Sequence, residues 1–338
     1  MTGHRTVMRQ PWFWPALANF LLLALVMALV GEFKFSIVTA NLAAASFLAM
    51  VGLAQMFPVA SGEGGIDLSI PAVMNFCAFL AVRMIGADVW SIVPVLAAAI
   101  AFGLAVGLVN GLIIVRLRVP PIIGTLATGF VVLTLVQIIS ADGMTRIANR
   151  TLVDFVRGAF LGIPTPFFAV IGIGAAAAVT LHRTVFGRAL LAVGQSRRAA
   201  ALAGISVNRT VVTAYLICGA LAAFTGVALA ISVGGADLQL GNPFLLTSVG
   251  AVVLGGNRIS GGSASVPGTV LGAILLTLLV LAVTVAGLPI EMKHIASGLT
   301  ITLVLVAAHA PEAGQRAPRA LGAVVRRWFT AAKKGSQP

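Results

Sequence analysis

Leu271-Gly272-Ala273-Ile274-Leu275-Leu276-Thr277-Leu278-Leu279-Val280-Leu281-Ala282-Val283-Thr284-Val285 contains no charged residue, and Leu21-Leu22-Leu23-Ala24-Leu25-Val26-Met27-Ala28-Leu29-Val30 is apolar throughout. Neither run alternates between apolar and polar residues. In hydrocarbon every backbone amide must find its partner within the protein, so only helices and closed barrels cross a bilayer. A helix needs about 20 mostly apolar residues for a core about 30 Å thick, whereas a barrel strand shows about ten residues of strict alternation. The runs therefore read as membrane-spanning helices.

The rest of the chain agrees. Of 338 residues, 59% are hydrophobic and 9% charged, against about a quarter charged in a soluble domain. Spans are expected near 15–31, 36–58, 70–86, 91–115, 121–140, 164–181, 210–232, 243–257, 266–288 and 291–309. The fold class is an all-α polytopic transmembrane helical bundle of about ten spans. A cytoplasmic N-terminal segment, 1–14, and a basic cytoplasmic tail, 310–338, are expected to flank a transmembrane domain, 15–309. Met1–Gln10 is basic and precedes an apolar run, as in a signal peptide. No small-residue cleavage site follows, so a retained first span is expected.

The net charge of +13 reads as topology and not as nucleic-acid binding, because no aromatic stacking platform interleaves with the basic residues. With the N-terminus inside, the inner segments hold 16 basic residues, among them Arg5, Arg9, Arg116, Arg118, Arg183, Arg188, Arg197, Arg198, Arg209 and Arg258. The outer segments hold six, Lys34, Arg83, Arg146, Arg150, Arg157 and Lys293, together with Glu32, Asp88, Asp142, Asp154, Asp237 and Glu291. The positive-inside rule then places both termini in the cytoplasm. Ala141–Ile163 is the longest expected outer loop. The tail residues Arg319, Arg326, Arg327, Lys333 and Lys334, around Trp328 and Phe329, fit either an anionic leaflet or a solvated anchor.

Chemistry concentrates in the breaks between spans. Ser61-Gly62-Glu63-Gly64-Gly65-Ile66-Asp67-Leu68-Ser69 puts two acids and three glycines at or near membrane depth, where a carboxylate needs partners or water. Asp67 or Ser69 is expected to cap a helix opening at Ile70-Pro71. Gly64, Gly65, Asp67, Ser69 and Asn75 are candidates for the lining of a translocation path, since transporters keep broken helices around cavities. A second break, Gly255-Gly256-Asn257-Arg258-Ile259-Ser260-Gly261-Gly262-Ser263, echoes the first through Gly-Gly-x-x-x-Ser, a weak sign of duplication. Between 182 and 209 lies a basic inner loop in which Arg197–Ala203 can form a short helix stopped by Gly204.

Cys77 and Cys218 lie inside apolar stretches as small buried side chains, and the four histidines have no ligand-like spacing, so neither a metal site nor a cofactor is expected. No Gly-Lys pair occurs, so the phosphate-cradling Gly-x-x-x-x-Gly-Lys-[Ser/Thr] loop of ATPases is absent and the chain is no ATPase.

Three stretches resemble one known family, the permeases of ribose, xylose, arabinose and galactose ABC importers. They are Gly64-Gly65-Ile66-Asp67-Leu68-Ser69; Gly107-Leu108-Val109-Asn110-Gly111 through Arg118-Val119-Pro120-Pro121-Ile122-Ile123-Gly124-Thr125-Leu126; and Gly187-Arg188 to Gly204-Ile205, continuing to Ala251-Val252-Val253-Leu254-Gly255-Gly256. The resemblance covers roughly 40–308. It implies a multi-pass permease in the bacterial inner membrane that pairs with a second permease copy, identical or not. It further implies a periplasmic sugar-binding protein, an ATP-binding cassette subunit and a sugar path through the membrane. By the same resemblance Gly194, Arg197, Arg198, Ala199, Ala200 and Gly204 form a segment docking on the ATPase, similar to the Glu-Ala-Ala loop of importers. Here Arg197-Arg198 stands where an acid is usual, which points to a partner with an acidic groove. Rival readings are a branched-chain amino-acid permease, a secondary transporter using Asp67 or Glu63, and a channel or membrane enzyme. The last two lack paired intramembrane charges or a His and acid cluster.

Overall fold

The structure, a computed structural model, describes residues 10, 12–141, 143, 145–287, 295, 298 and 299. The chain separates into two compact units, Met1–Ser297 and Gly298–Pro338, and the described helices all belong to the first. The expected tenth span lies outside the described residues except for 295, 298 and 299, as do the tail and most of 1–14.

The helices are α1 Phe13–Val30, α2 Phe35–Ala60, α3 Ile70–Met84, α4 Ile92–Arg116, α5 Pro121–Ile139, α6 Arg150–Arg157, α7 Thr165–Arg183, α8 Val185–Gln195, α9 Arg197–Leu202, α10 Val207–Val233, α11 Phe244–Leu254 and α12 Val266–Val285. Among the described residues seven helices are long and apolar enough to cross a membrane. They show an all-α polytopic membrane protein. Helices also stand at the expected spans 70–86 and 243–257, but α3 has 15 residues and α11 has 11. At 1.5 Å per residue these reach about 22 and 16 Å, short of a bilayer core. Glycines decide both boundaries: Ser61–Ser69 delays the start of α3, and Gly255-Gly256 stops α11.

One region is more structured than expected. Ala141–Ile163 holds α6, capped by the Asn149 side chain at Leu152 N, 3.1 Å. It also carries half of a two-residue antiparallel ribbon, β1 Ala159–Phe160 with β2 Ile163–Pro164. The cysteines are unpaired and buried inside α3 and α10.

The middle of the bundle is α2 and α10, whose spans are 61% and 56% buried against 11% for α1. α10 packs on α4, α3 and α2; α12 packs on α2, α11 and α1. Both α2 and α10 are apolar all round, as fully enclosed helices are. Lipid supplies no hydrophobic drive between helices, so close backbone approach replaces it. On α4 the stripe Gly103, Gly107 and Gly111, one residue per turn, lies against Gly219, Tyr215 and Val212 of α10. A Cβ on Gly103 would overlap the Gly219 carbonyl oxygen, and one on Gly111 would sit 2.8 Å from Val212 Cα.

The loops meet in two groups. One comprises 61–69, 117–120, 194–209 and 255–265, joined through Glu63, Gly194, Arg197 and Gly262. The other comprises 31–35, 85–91, 140–163 and 232–243. Its contacts include Asn149 Nδ2 to Ala87 O, 2.8 Å, Ala236 N to Thr145 O, 2.8 Å, and Arg157 to the Ser232 and Val233 carbonyls, each 2.6 Å.

Candidate functional site

Where the first loop group meets, the packing is backbone against backbone. A Cβ on Gly194 would overlap the Ala60 carbonyl oxygen and the Gly262 nitrogen, and Gly262 N donates to Ala60 O at 3.0 Å. Gly62 (φ 79°) and Gly261 (φ 90°) adopt left-handed backbone at the same crossing, a conformation that costs an L-residue roughly 1–2 kcal/mol. Thus the first break, the second break and the segment beginning at Gly194 form one knot. That contact accounts for the glycine richness of both breaks and is no evidence of duplication.

Beside the knot Asp67 is 2% exposed. Its Oδ1 accepts from Ser69 N, 2.9 Å, and Ser69 Oγ, 2.6 Å. Asn110 Nδ2 on α4 donates to Ser69 Oγ at 2.8 Å and reaches Asp67 Oδ1 and Oδ2 at 3.3 and 3.4 Å. Thr125 Oγ1 on α5 accepts from Leu68 N at 3.0 Å. With its amide oxygen facing Asp67 N, Gln55 on α2 accepts there at 3.1 Å and donates to Asp67 O at 3.3 Å. A buried carboxylate is tolerable only when paired or hydrogen-bonded, and here Ser69 and Asn110 meet that need, while Thr125 and Gln55 hold the backbone of Leu68 and Asp67. The capping expectation is corrected: Ser69 occupies the N-cap position of α3 but makes no side-chain cap, because its hydroxyl serves Asp67 and Asn110. Pro71 does take the first turn.

Glu63, by contrast, faces outward, with its side chain 62% exposed, and accepts from Arg197 Nη1 at 2.8 Å; Arg197 is 23% exposed. The pair opens onto a cavity of about 530 Å³ lined by Glu63, Val115, Arg118, Pro120, Arg197 and Asn208. Glu63 (φ 53°) and Arg118 (φ 56°) are both non-glycine residues in left-handed backbone. α9 runs as expected and ends before Gly204 (φ 79°), with Ser196 Oγ capping Ala199 N at 3.2 Å. Arg198 and Ala199 are exposed, while Ala200 is buried.

In the second break Asn257 Nδ2 donates to Val252 O, 2.6 Å, and Thr269 Oγ1, 2.9 Å, and its Oδ1 accepts from Ser265 N, 2.6 Å. Gly255 packs on Gly268, Gly256 (φ 79°) turns the chain, and Ser260 O lies beside Gly62. Asn75 stands apart from the Asp67 cluster. Its side chain clamps the loop after α10, donating to Leu238 O at 2.8 Å and accepting from Gly241 N at 2.6 Å.

Gln55 and Asn257 were absent from the sequence candidates, and Asn110 and Thr125 entered only through resemblance. For Gln55 and Asn110 the signal was available: an amide inside an apolar helix has to be partnered. What the sequence could not supply was the partner.

A family model described as branched-chain amino acid transport system / permease component matches residues 37–305. The chain belongs to this permease family. Curated relatives of the permease include an L-arabinose ABC transporter permease from Azospirillum brasilense, 33% identical over 77% of this chain and 76% of the relative. A ribose import permease from Escherichia coli K12 is 30% identical over 72% and 76%. An autoinducer 2 import system permease from Salmonella paratyphi B is 33% identical over 72% and 75%. No solved structure matches significantly. The matched region encloses every loop of the knot, so the permease assignment and the geometry refer to the same residues.

Proposed function

We propose that this permease forms the membrane path of an ATP-driven importer of a sugar in the bacterial inner membrane. The observation carrying the reading is likeness to arabinose and ribose permeases along about three quarters of the chain. The chain has no Gly-Lys pair, so ATP is hydrolysed by a separate ATP-binding cassette subunit. That subunit docks at the end where α9 lies, with Arg197, Arg198, Ala199 and Ala200 carrying the contact and Gly194 and Gly204 setting its shape. A periplasmic sugar-binding protein docks at the opposite end, and a second permease copy, identical or different, completes the path. The arrangement has about ten spans with both termini cytoplasmic.

Gly64, Gly65, Asp67 and Ser69 form the inner margin of the path, with the Asp67 carboxylate holding the break in shape and not itself contacting the sugar. Asn75 fixes the outer loop above it, and Gly255, Gly256, Ser260, Gly261 and Gly262 brace the break from behind. The family model's description favours a second reading, a branched-chain amino acid as cargo. Reconstitution of the permease with the ATP-binding subunit and binding protein encoded beside it tests both readings. Sugar uptake that requires ATP is expected. Uptake driven by a proton gradient alone refutes the importer, and a binding protein stabilised by leucine and not by pentoses or hexoses selects the second reading.

A further inference from the structure

The cavity beside α9 holds a feature that packing alone does not require. Among the described residues of this loop group the exposed basic residues are Arg118, Arg198, Arg209 and Arg258, and the one exposed acid is Glu63. That acid is spent on Arg197. Arg197 Nε, on the same guanidinium, is buried and has no hydrogen-bond partner. A guanidinium presents five N–H donors in a planar fork suited to bidentate carboxylate binding, and a buried unpaired donor is destabilising. Arg197 is therefore half satisfied. Arg118 lines the same cavity and has no acidic partner among the described residues. Glu63 and Arg118 both have the left-handed backbone that non-glycine residues avoid. Backbone of that kind persists where the surrounding structure enforces it, and it clusters at clamps and switches.

We propose that this cavity is a carboxylate-exchange site. Resting on the importer reading above, an acidic side chain of the ATP-binding subunit enters between Arg118 and Arg197, takes the Arg197 guanidinium bidentately and releases Glu63 to solvent. Glu63 is a built-in stand-in for the partner's carboxylate. It sits on the turn that continues through Asp67 into α3, so releasing it removes one tether of the Gly62–Gly64 turn at the moment the subunits engage, leaving the backbone packing of Gly62 on Gly194 and Gly261. Docking and movement of the break are thereby one event.

The test measures binding of the adjacent-gene ATP-binding subunit to the permease in phosphatidylcholine nanodiscs, with thermal melting of the permease in parallel. Glu63→Gln removes the competitor and is expected to tighten binding by up to about fivefold, the strength of a half-exposed ion pair. Arg197→Gln and Arg118→Gln are expected to weaken it about tenfold, with binding less sensitive to KCl than in the wild type. In Glu63→Gln/Arg197→Gln the gain from Glu63→Gln disappears. Wild-type binding with no change in either Glu63→Gln or Arg197→Gln, while both lower the melting temperature, overturns the proposal and leaves the importer reading intact. Weaker binding by Glu63→Gln also overturns it. Absence of wild-type binding overturns both readings together. If phosphatidylglycerol raises the melting temperature through Arg118 and Arg197 while binding stays unchanged, the cavity belongs to a lipid headgroup and the proposal falls.

Discussion

The Asn110 amide of α4 donates to the Ser69 hydroxyl at 2.8 Å, tying one membrane-length helix to the residue that opens the shorter α3. Through Ser69 and Asp67 it holds the chain where α2 has ended and α3 has not begun. Asn110→Ala leaves Ser69 Oγ without a donor, and interhelical hydrogen bonds in membranes contribute about 0.6 and up to about 1.7 kcal/mol. A fall in melting temperature of a few degrees in nanodiscs is expected. Asn110→Asp, which sets a second carboxylate beside Asp67, is expected to melt lower still. If Asn110→Asp is as stable as the wild type, Asp67 is not held as a hydrogen-bonded carboxylate.

The α4 to α10 contact predicts a size series. A Cβ at Gly103 overlaps the Gly219 carbonyl, and the Ala223 methyl is 2.7 Å away, so the helices must part to admit one. Gly103→Ala is expected to lower the melting temperature, and Gly103→Leu to abolish monodisperse protein in size-exclusion chromatography. Gly172 on α7, with no atom near its Cβ position, is the control: Gly172→Ala is expected to melt no lower than the wild type, since alanine favours helix by about 1 kcal/mol. Equal sensitivity at both positions rejects the glycine stripe as the contact.

Much of this arrangement was legible in the sequence, and the remainder was not for a physical reason. Uncharged runs give spans because the bilayer admits nothing else, and so α1, α2, α4, α5, α7, α10 and α12 stand where expected. Gly204 ends α9 as its left-handed preference requires. The length of α11 was not legible, since Val252–Leu254 is as apolar as any span and only contact of Gly255 with Gly268 shows where the helix stops. Nor was the Glu63 to Arg197 pairing, which joins residues 134 positions apart. The knot needed three glycine segments to be seen as one, and glycine carries no side chain from which a partner could be inferred.

Asn75 makes a separate prediction about the opposite loop group. Its amide holds both Leu238 O and Gly241 N, and Gly241 is packed on Pro71 O. Asn75→Leu removes both hydrogen bonds and leaves the loop between α10 and α11 untethered. Amide hydrogen exchange at Leu238–Gly241 is expected to rise at least about tenfold, the equivalent of about 1.4 kcal/mol of lost local stability, with little change in α10. Unchanged exchange at Gly241 shows that the loop is held by packing and not by Asn75.

Sidedness follows from the two loop groups taken with their charge. Among the described residues the α9 group carries Arg118, Arg197, Arg198, Arg209 and Arg258 against Glu63 and the buried Asp67. The other carries Lys34, Arg146, Arg150 and Arg157 against Glu32, Asp88, Asp154 and Asp237. Basic loops resist translocation, so the α9 group is expected to face the cytoplasm. Cysteine at an exposed position of each group reads this directly, and the native Cys77 and Cys218 are buried and give a low background. In intact spheroplasts a membrane-impermeant maleimide is expected to label Phe155→Cys and to spare Arg198→Cys. In inverted vesicles the pattern is expected to reverse. Labelling of Arg198→Cys from outside the cell would place α9 away from any cytoplasmic ATPase and remove the basis for the docking proposal.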